Sequence, residues 1–582
     1  MASTKSRYTN NDLADIFDRI AGLLEIKGEV VFKIRAYQKA AESLRTLGED
    51  INRVAAEGRL DDIPGVGKAI SEKIAELLET GRLGFLEKLE AEVPPSLLQL
   101  LRVPDLGPRK VKLFWEQLGV IDLAGLEAAA NEGKLRSLPG MGEKSETRIL
   151  SGIQALGRLG NRMSLDLARS HAARWIAWLK EQPGVLDAEY AGSLRRWRET
   201  VGDLDLVCAC GEDSTVLADF VQQPEVERVL GQGENKASVE LKNGVRIQLW
   251  AAPPDRYGSL LLYATGSKAH NVKLREMALK KNLSLSDKGF LKEDGSIIPH
   301  ADEVSLYKEL GLPWITPELR EDRGEIEAGL KNRLPKLIEL EDLRAELHTH
   351  STWSDGALTI REMVEAARKR GFTTYAVTDH SDYLGVTGGL KADTLPQQRE
   401  EIEQVRKGLK DGFLLLHGIE VDITTERGLA LPDEALAGLD IVIASLHAGL
   451  RQPRDVVTAR LLDAIRNPHV DVIAHPSGRL LPNREGADLD WDAVLSAAKE
   501  HGVALEINAS PMRLDLNDVY ARRAVEMGIP LMINTDAHSP RDFDLAVYGV
   551  AVARRAWATP EVVINTWSPE KIADWLKKRQ PA

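Results

Sequence analysis

Through the first ~160 residues apolar positions recur at helical spacing, as in Asn11–Leu24 and Ile70–Leu78, with almost no alternating segments. This predicts a run of short amphipathic helices. The texture changes near residue 185, where Val185–Ala191, Leu204–Ala209, Ala237–Leu241 and Arg246–Ala251 read as strands separated by turns or helical pieces. The stretch from Leu312-Pro313-Trp314 through Pro335 is rich in proline and charge and reads as a connector. Beyond Leu343, strands at Tyr375–Thr378, Leu414–His417, Ile441–Ser445, Val470–Ala474, Ala504–Ile507 and Leu531–Ile533 alternate with helical segments. Such alternation predicts a parallel sheet or barrel with its function at the strand C-terminal ends.

Length and composition narrow this picture. At roughly 150 residues per domain, 582 residues make three to five domains, and 43% apolar residues suffice for packed cores. The two cysteines, Cys208 and Cys210, exclude a disulfide framework and a cysteine zinc finger, and suit a reducing compartment. No apolar run approaches the ~20 residues of a membrane span, and no signal-peptide core follows Met1, so a soluble, cytoplasmic protein without a membrane partner is expected. The net charge of −13 argues against a generic nucleic-acid coat, but it is unevenly spread. Residues 1–162 carry 24 basic and 24 acidic side chains, so the entire surplus of acid lies beyond them.

Three segments near the N-terminus share one shape: Ile63-Pro64-Gly65-Val66-Gly67-Lys68, Val103-Pro104-Asp105-Leu106-Gly107-Pro108 and Leu138-Pro139-Gly140-Met141-Gly142-Glu143. Glycines ahead of a helix let the backbone turn tightly, so that amides at the helix start face a phosphate. The repeat resembles the helix-hairpin-helix, a binder of the DNA backbone that positions without reading bases. Gly65, Gly67, Lys68, Gly107, Gly140 and Gly142 are its expected DNA contacts. The second copy departs, with Asp105 where the others have glycine. Lys73, on the helix after the first hairpin, is either a solvated helix lysine or a Schiff-base nucleophile toward an abasic sugar.

In the middle of the chain, Gly192-Ser193-Leu194-Arg195-Arg196 precedes Val201-Gly202-Asp203-Leu204-Asp205-Leu206. On a strand, Asp203 and Asp205 project from one face and can hold a divalent ion, Mg²⁺ or Mn²⁺, against substrate phosphates. This run resembles the nucleotidyltransferase motif of family-X DNA polymerases. The resemblance extends to Tyr263-Ala264-Thr265-Gly266-Ser267, with Asn271 and Arg275 beyond. It implies a nucleotide site at Gly192, Ser193, Arg196, Tyr263, Thr265, Gly266, Asn271 and Arg275, and a lyase role for Lys73. The family has a third carboxylate. Counting back from Thr265-Gly266 without a gap puts Gln248 at its place, and a glutamine neither carries charge nor accepts the primer hydroxyl's proton. Polymerisation is therefore expected to be weak or dependent on Mn²⁺.

Nine of the twelve histidines lie beyond residue 343. Together with acids they make the set His348, His350, Asp355, His380, Glu420, His447, His475, Asp536 and His538, at the ends of predicted strands, whereas His417, His469 and His501 read as structural. Imidazoles and carboxylates suit Zn²⁺, Mn²⁺ or Fe. The set resembles that of the polymerase-and-histidinol-phosphatase (PHP) domain, which holds up to three ions. The resemblance implies His348, His350, Glu420 and Asp536 around one ion, Glu420 with His447 and His475 around a second, and Asp355, His380 and His538 around a third.

The expected fold is thus multidomain, α plus α/β. It comprises a helix-hairpin-helix, lyase-like domain (1–90), a helical domain with two further hairpins (91–162), a nucleotidyltransferase palm (163–255), a thumb (256–320), a linker (321–343) and a distorted (β/α)7 PHP barrel (344–582). The expected function is base-excision repair of DNA, combining gap-filling nucleotidyl transfer with a metal-dependent 3′→5′ exonuclease. Its expected partners are gapped or nicked DNA, 3′ ends and deoxynucleoside triphosphates, and a monomer is expected. Two alternatives are a DNA-end nuclease whose palm only binds gapped DNA and nucleotide, favoured by Gln248, and a non-enzymatic end-binding scaffold.

Overall fold

The helical pattern of the N-terminal residues begins where Thr9 caps the helix Asn10–Lys27. Its side chain accepts from the Asp12 amide, the Asp12 carboxylate accepts from the Thr9 amide, and Gly28 closes the helix in the left-handed region. The structure, a computed structural model, describes residues 8–579 except 48, 104–105, 159–161, 212, 384–386, 410–411, 482–483 and 485. Asp105 of the second hairpin lies outside the described residues. The chain divides into two compact units, residues 1–160 and 161–582. In the first, helices that include Val31–Thr46, Lys68–Thr80, Pro108–Leu118 and Glu143–Arg158 bury a shared core of Phe17, Ile20, Leu44, Ile74 and Phe114. Among the described residues no helix is long and apolar enough to cross a membrane.

The second unit opens with β1 (Met163–Ser164), β2 (Val185–Tyr190), β3 (Thr200–Val201), β4 (Leu204–Cys210), β5 (Val226–Gln232), β6 (Lys236–Leu241) and β7 (Arg246–Ala252). Five of these form the palm sheet in the order β2-β4-β7-β6-β5, with β4 and β7 parallel and the other pairs antiparallel. The edge strand β5 was not among the predicted strands. Its sequence, Val-Glu-Arg-Val-Leu-Gly-Gln, lacks a clean alternation of apolar and polar residues, and none of it is fully buried. A small antiparallel sheet of β8 (Ser284–Ser286), β9 (Gly289–Leu291) and β10 (Ile297–Ile298) follows.

The barrel consists of β11 (Ala345–Glu346), β12 (Thr374–Val377), β13 (Leu414–Asp422), β14 (Ile441–Ser445), β15 (Val472–Ala474), β16 (Ala504–Asn508) and β17 (Leu531–Asn534), parallel and in sequential order. Its edges meet just beyond the strand ends, where Thr349 bridges Ala537 and the His350 amide donates to the Ala537 carbonyl at 2.8 Å. The barrel is thereby nearly closed. β13 is staggered: Leu414–His417 pairs with β12 and Gly418–Asp422 with β14. At the changeover only glycine fits, because a Cβ on Gly418 would stand 2.6 Å from Ile441 Cγ2.

The expected linker is a packed segment. Glu325, at the start of the helix Glu325–Leu330, is fully buried against His270 Nδ1 at 2.6 Å and accepts from the amides of Asp322 and Arg323, and Ile338 is buried too. Beside it, the buried Glu303 takes two bonds from the fully buried Arg320 (2.6 and 3.0 Å) and two from Arg195 (2.8 and 3.0 Å). Burial pushes the Glu303 carboxyl up, but Arg320 and Arg195 outweigh it and hold the group far below its ordinary range. Removing one partner of such a pair leaves an uncompensated buried charge. Glu303→Gln is therefore expected to destabilise the second unit by about 3–5 kcal/mol, read as a lowered melting transition in calorimetry.

Candidate functional site

All nine expected ligand residues gather at the C-terminal mouth of the barrel. His348, His350 and Asp355 follow β11, His380 follows β12, His447 follows β14, His475 follows β15, and Asp536 and His538 follow β17. Two local expectations are corrected. β11 ends at Glu346, so His348 and His350 sit beyond the strand, their separation kept by the Thr349 bridge between them. Glu420 lies inside β13 rather than at its end, because the stagger carries β13 past β12 and sets Glu420 beside His380.

Glu420 is the centre of the cluster. His380 Nδ1 is 2.7 Å from its carboxylate, His475 Nε2 3.1 Å, His447 Nε2 3.4 Å, His348 Nε2 3.5 Å and His350 Nε2 3.8 Å. Asp536 stands 2.9 Å from His350 and 3.5 Å from His348, and Asp355 is 3.2 Å from His538 Nε2. Burial pushes the carboxyls of Glu420 and Asp536 up, but the surrounding imidazoles hold both well below the ordinary range. For Asp355 the same opposition, led by burial and answered by His538 and His380, leaves the carboxyl at about 2.

Three groups of ligand atoms lie close enough to share an ion: His350, Asp355, His380 and His538; His348, His350 and Asp536; and His380, Glu420 and His447. His350 and His380 each fall in two groups, a different partition from the one the resemblance implies. The donors fit divalent metal. His350 Nδ1 and His475 Nδ1 are buried without a hydrogen-bond partner, and each such orphan costs about 1–3 kcal/mol unless something fills it. His475 and Asp536 also hold left-handed backbone (φ 26° and 55°), strain that costs about 1–3 kcal/mol and concentrates at functional sites.

Further residues aim these ligands. Glu506 on β16 bonds His348 Nδ1 at 2.8 Å and accepts from the His475 amide, Asp422 bonds His447 Nδ1 at 2.8 Å, and Asn508 donates to Asp536 at 3.2 Å. Fixing one ring nitrogen in this way turns the other toward a metal. β16 is the strand that sends no expected ligand to the mouth. Its contribution went unread, although two polar residues in an otherwise apolar, wholly buried strand were the available signal. His417 is structural as expected, buried and bonded to Gln398.

In the palm, Asp205 on β4 and Gln248 on β7 are register partners, so Gln248 stands directly beside Asp205 where the resemblance expects an acid. Asp203 immediately precedes the strand. Burial and then Asp203 push the Asp205 carboxyl up to about 6, against Lys236 and Arg196. Gly192 is required by this carboxylate, since a Cβ there would lie 2.1 Å from Asp205 Oδ2. Asp203 and Asp205 suit one divalent ion held against substrate phosphates. No third acid joins them to make a ligand group like those of the barrel among the described residues.

Around the expected nucleotide site, Tyr263 is partly exposed, with Arg275 5.9 Å from its ring centroid. Asn271 donates to the Tyr263 carbonyl at 2.9 Å, and Ser267, next to Gly266, caps the helix Lys268–Leu279. Arg196, expected at the nucleotide site, and its neighbour Arg195 are turned inward. Arg195 bonds Thr265 Oγ1 and Glu303, and Arg196 bonds the Thr265 carbonyl and Glu321. Buried guanidinium groups need such acceptors, so Arg196 braces Thr265-Gly266 in place of pointing into open space.

In the N-terminal unit, Gly67 and Gly107 each precede a helix with no side chain bonded to its first amides, and Gly65 and Gly140 take left-handed φ of 80° and 74°. Among the described residues, no heavy atom outside the local chain lies within 4 Å of where a Cβ on Gly67, Gly107, Gly140 or Gly142 would sit, which leaves these turns open to a backbone ligand. Lys68 begins the helix Lys68–Thr80. Lys73, on that helix, donates to the Ala69 carbonyl at 2.9 Å and stands 5.3 Å from the Phe85 ring centroid.

Comparisons with known proteins assign several of these regions to families. Residues 260–321 match the family model of the DNA polymerase beta thumb, 8–83 a helix-hairpin-helix domain, 97–155 a SAM-like helix-hairpin-helix tandem and 346–510 the PHP domain. A probable phosphatase from Thermoanaerobacter sp. (strain X514) is 34% identical over 252 residues, 40% of this chain and 95% of its own. One from Shewanella sp. (strain MR-4) is 32% identical over 203 residues, 33% of this chain and 75% of its own. The DNA polymerase/3′-5′ exonuclease PolX of Bacillus subtilis (strain 168) is 37% identical over 572 residues, 97% of this chain and 99% of its own. With that likeness running from hairpins to barrel, the chain belongs to the family-X DNA polymerases that carry a C-terminal PHP domain.

Proposed function

We propose that this chain is a DNA-repair enzyme that fills short gaps with its palm and removes 3′-terminal nucleotides with its barrel. The observation that carries the reading is the gathering of nine imidazole and carboxylate side chains at one barrel mouth of a chain otherwise built as a family-X polymerase. The reading in which the palm only binds DNA is not favoured, because the relative similar over 97% of this chain is named a polymerase as well as an exonuclease. A pure scaffold would leave the buried orphans of the barrel unexplained.

In the barrel, the nine residues hold up to three ions of Mn²⁺, Zn²⁺ or Fe. Such ions, when bound, acidify water and stabilise the attacking and leaving oxygens of a phosphoester. The protein's own share is orientation: Glu506 and Asp422 fix the ring nitrogens of His348 and His447, and Asp536 is steadied by Asn508. In the palm, Asp203 and Asp205 hold Mg²⁺ or Mn²⁺ with the nucleotide, Gly192, Ser193 and the segment Tyr263 to Arg275 receive it, and the hairpin glycines and Lys68 carry the DNA backbone. Gln248 supplies no charge, so gap filling is weak in Mg²⁺ and improves in Mn²⁺. The substrates are gapped or nicked DNA, 3′ ends and deoxynucleoside triphosphates, and the enzyme acts as a cytoplasmic monomer.

Three measurements test this reading. His447→Ala combined with His475→Ala is expected to lower exonuclease turnover on a labelled 3′ end by at least about 10²-fold, and activity that survives removes the barrel from the reaction. On a one-nucleotide gap in Mg²⁺, Gln248→Asp is expected to raise the filling rate by about 10²-fold, or ~2.7 kcal/mol; fast filling by the native sequence with no gain from aspartate would refute the role given to this position. Lys73→Ala is expected to abolish borohydride trapping on a 5′-deoxyribose-phosphate end, and undiminished trapping excludes Lys73 as the lyase nucleophile.

A further inference from the structure

The palm segment between Arg196 and Asp203 is held by the barrel. Trp197 meets Tyr548 of the barrel helix Ala546–Arg555 edge to face, with ring centroids 6.2 Å apart, and the Arg196 carbonyl accepts from Arg555. Two residues further on, Glu199 pairs with Arg479 at 2.6 Å, across 280 positions of sequence. Arg479 lies on the loop after β15, its side chain 11% exposed. Besides Glu199, it donates Nε to the Arg513 carbonyl at 2.8 Å and Nη2 to the Leu514 carbonyl. A guanidinium so enclosed requires an anion, and Glu199 is the carboxylate that touches it.

The two loops tied together by Arg479 both reach the metal centre. The first begins at His475, whose Nε2 is 3.1 Å from Glu420. The second, after β16, carries Arg513, whose Nε is 3.9 Å from Asp536 Oδ2. Asp515 stitches them a second time, accepting from the amides of Ser477 and Gly478 at 3.0 and 2.9 Å. We infer that Glu199 of the palm is a positioning residue for the nuclease centre of the barrel, acting through Arg479 on the loops that hold His475 and Arg513. The inference rests on the reading of the barrel as the nuclease. Without the charge of Glu199, Arg479 loses the carboxylate bonded to it and keeps only the field of Asp515 and Asp518, its grip on the two carbonyls loosens, and the ligands drift from the geometry that turnover needs.

The test uses the full-length chain with Mn²⁺ and a single-stranded 3′ end. Glu199→Gln is expected to lower exonuclease kcat about 10-fold, as changes behind a metal ligand do, with KM for DNA within about twofold because the DNA contacts are left in place. Glu199→Asp is expected to recover most of the rate. An E199Q kcat within about twofold of the native value overturns the inference, as does a Glu199→Asp variant that is as slow as E199Q. If E199Q loses its melting transition, Arg479→Lys reads the same link, since it keeps the charge but not the forked grip, and native kcat in that variant overturns the inference. The His447→Ala/His475→Ala variant separates the two levels. Activity retained there sinks the barrel as nuclease, whereas activity lost there but native in E199Q sinks only the role of Glu199.

Discussion

A carboxylate withdrawn from water needs opposite charge or hydrogen-bond donors within a few ångströms, and Glu420 imposes that demand on the whole barrel mouth. Five imidazoles answer it, reaching in from four different strand ends. Each can arrive only if its strand is in register and the barrel is drawn nearly shut. The Thr349–Ala537 bridge and the stagger of β13 are therefore conditions for the metal centre as much as features of the fold. The imidazoles in turn repel one another and leave nitrogens without partners, which is why the assembly is suited to divalent ions rather than to hydrogen bonding alone.

The two centres differ in how complete they are. The barrel has every acid and imidazole of its expected set, with a second layer of Glu506, Asp422 and Asn508 behind them. The palm has the turn at Gly192, the carboxylates of Asp203 and Asp205 and the braced Thr265-Gly266 segment, yet it is one negative charge short at Gln248. Asp205, pushed up by burial and by Asp203, has no anionic companion on β7 with which to share an ion. The barrel mouth thus gathers many acids and imidazoles, whereas in the palm an amide stands beside Asp205.

Much of this was legible in the residues. The barrel strands are continuous apolar runs such as Ile441–Ser445, buried on both faces, and their ends are marked by histidines, so existence and order could both be read. The β4–β7 register sets Gln248 beside Asp205, a pairing that the gapless count from Thr265-Gly266 does not itself contain. Other features were hidden for physical reasons. The edge strand β5 has one neighbour, and its apolar and polar residues do not alternate. Glu506 reads as a stray charge until the fold brings His348 against it, and the inward turn of Arg195 and Arg196 depends on Glu303 and Glu321, more than a hundred residues away. Proline and charge made the stretch around 321–343 look slack, whereas those same charges are what pack it.

That packed stretch bears on how a repair intermediate travels. A slack tether would let the hydrolytic barrel swing toward a primer end resting in the palm. With Glu325 bonded to His270 and the Ile338 amide to the Ala558 carbonyl, the stretch is anchored at two points, which shortens the free tether for such a swing. The less that tether gives, the more the passage of an end from synthesis to trimming falls to the nucleic acid, through the ease of melting its last base pairs.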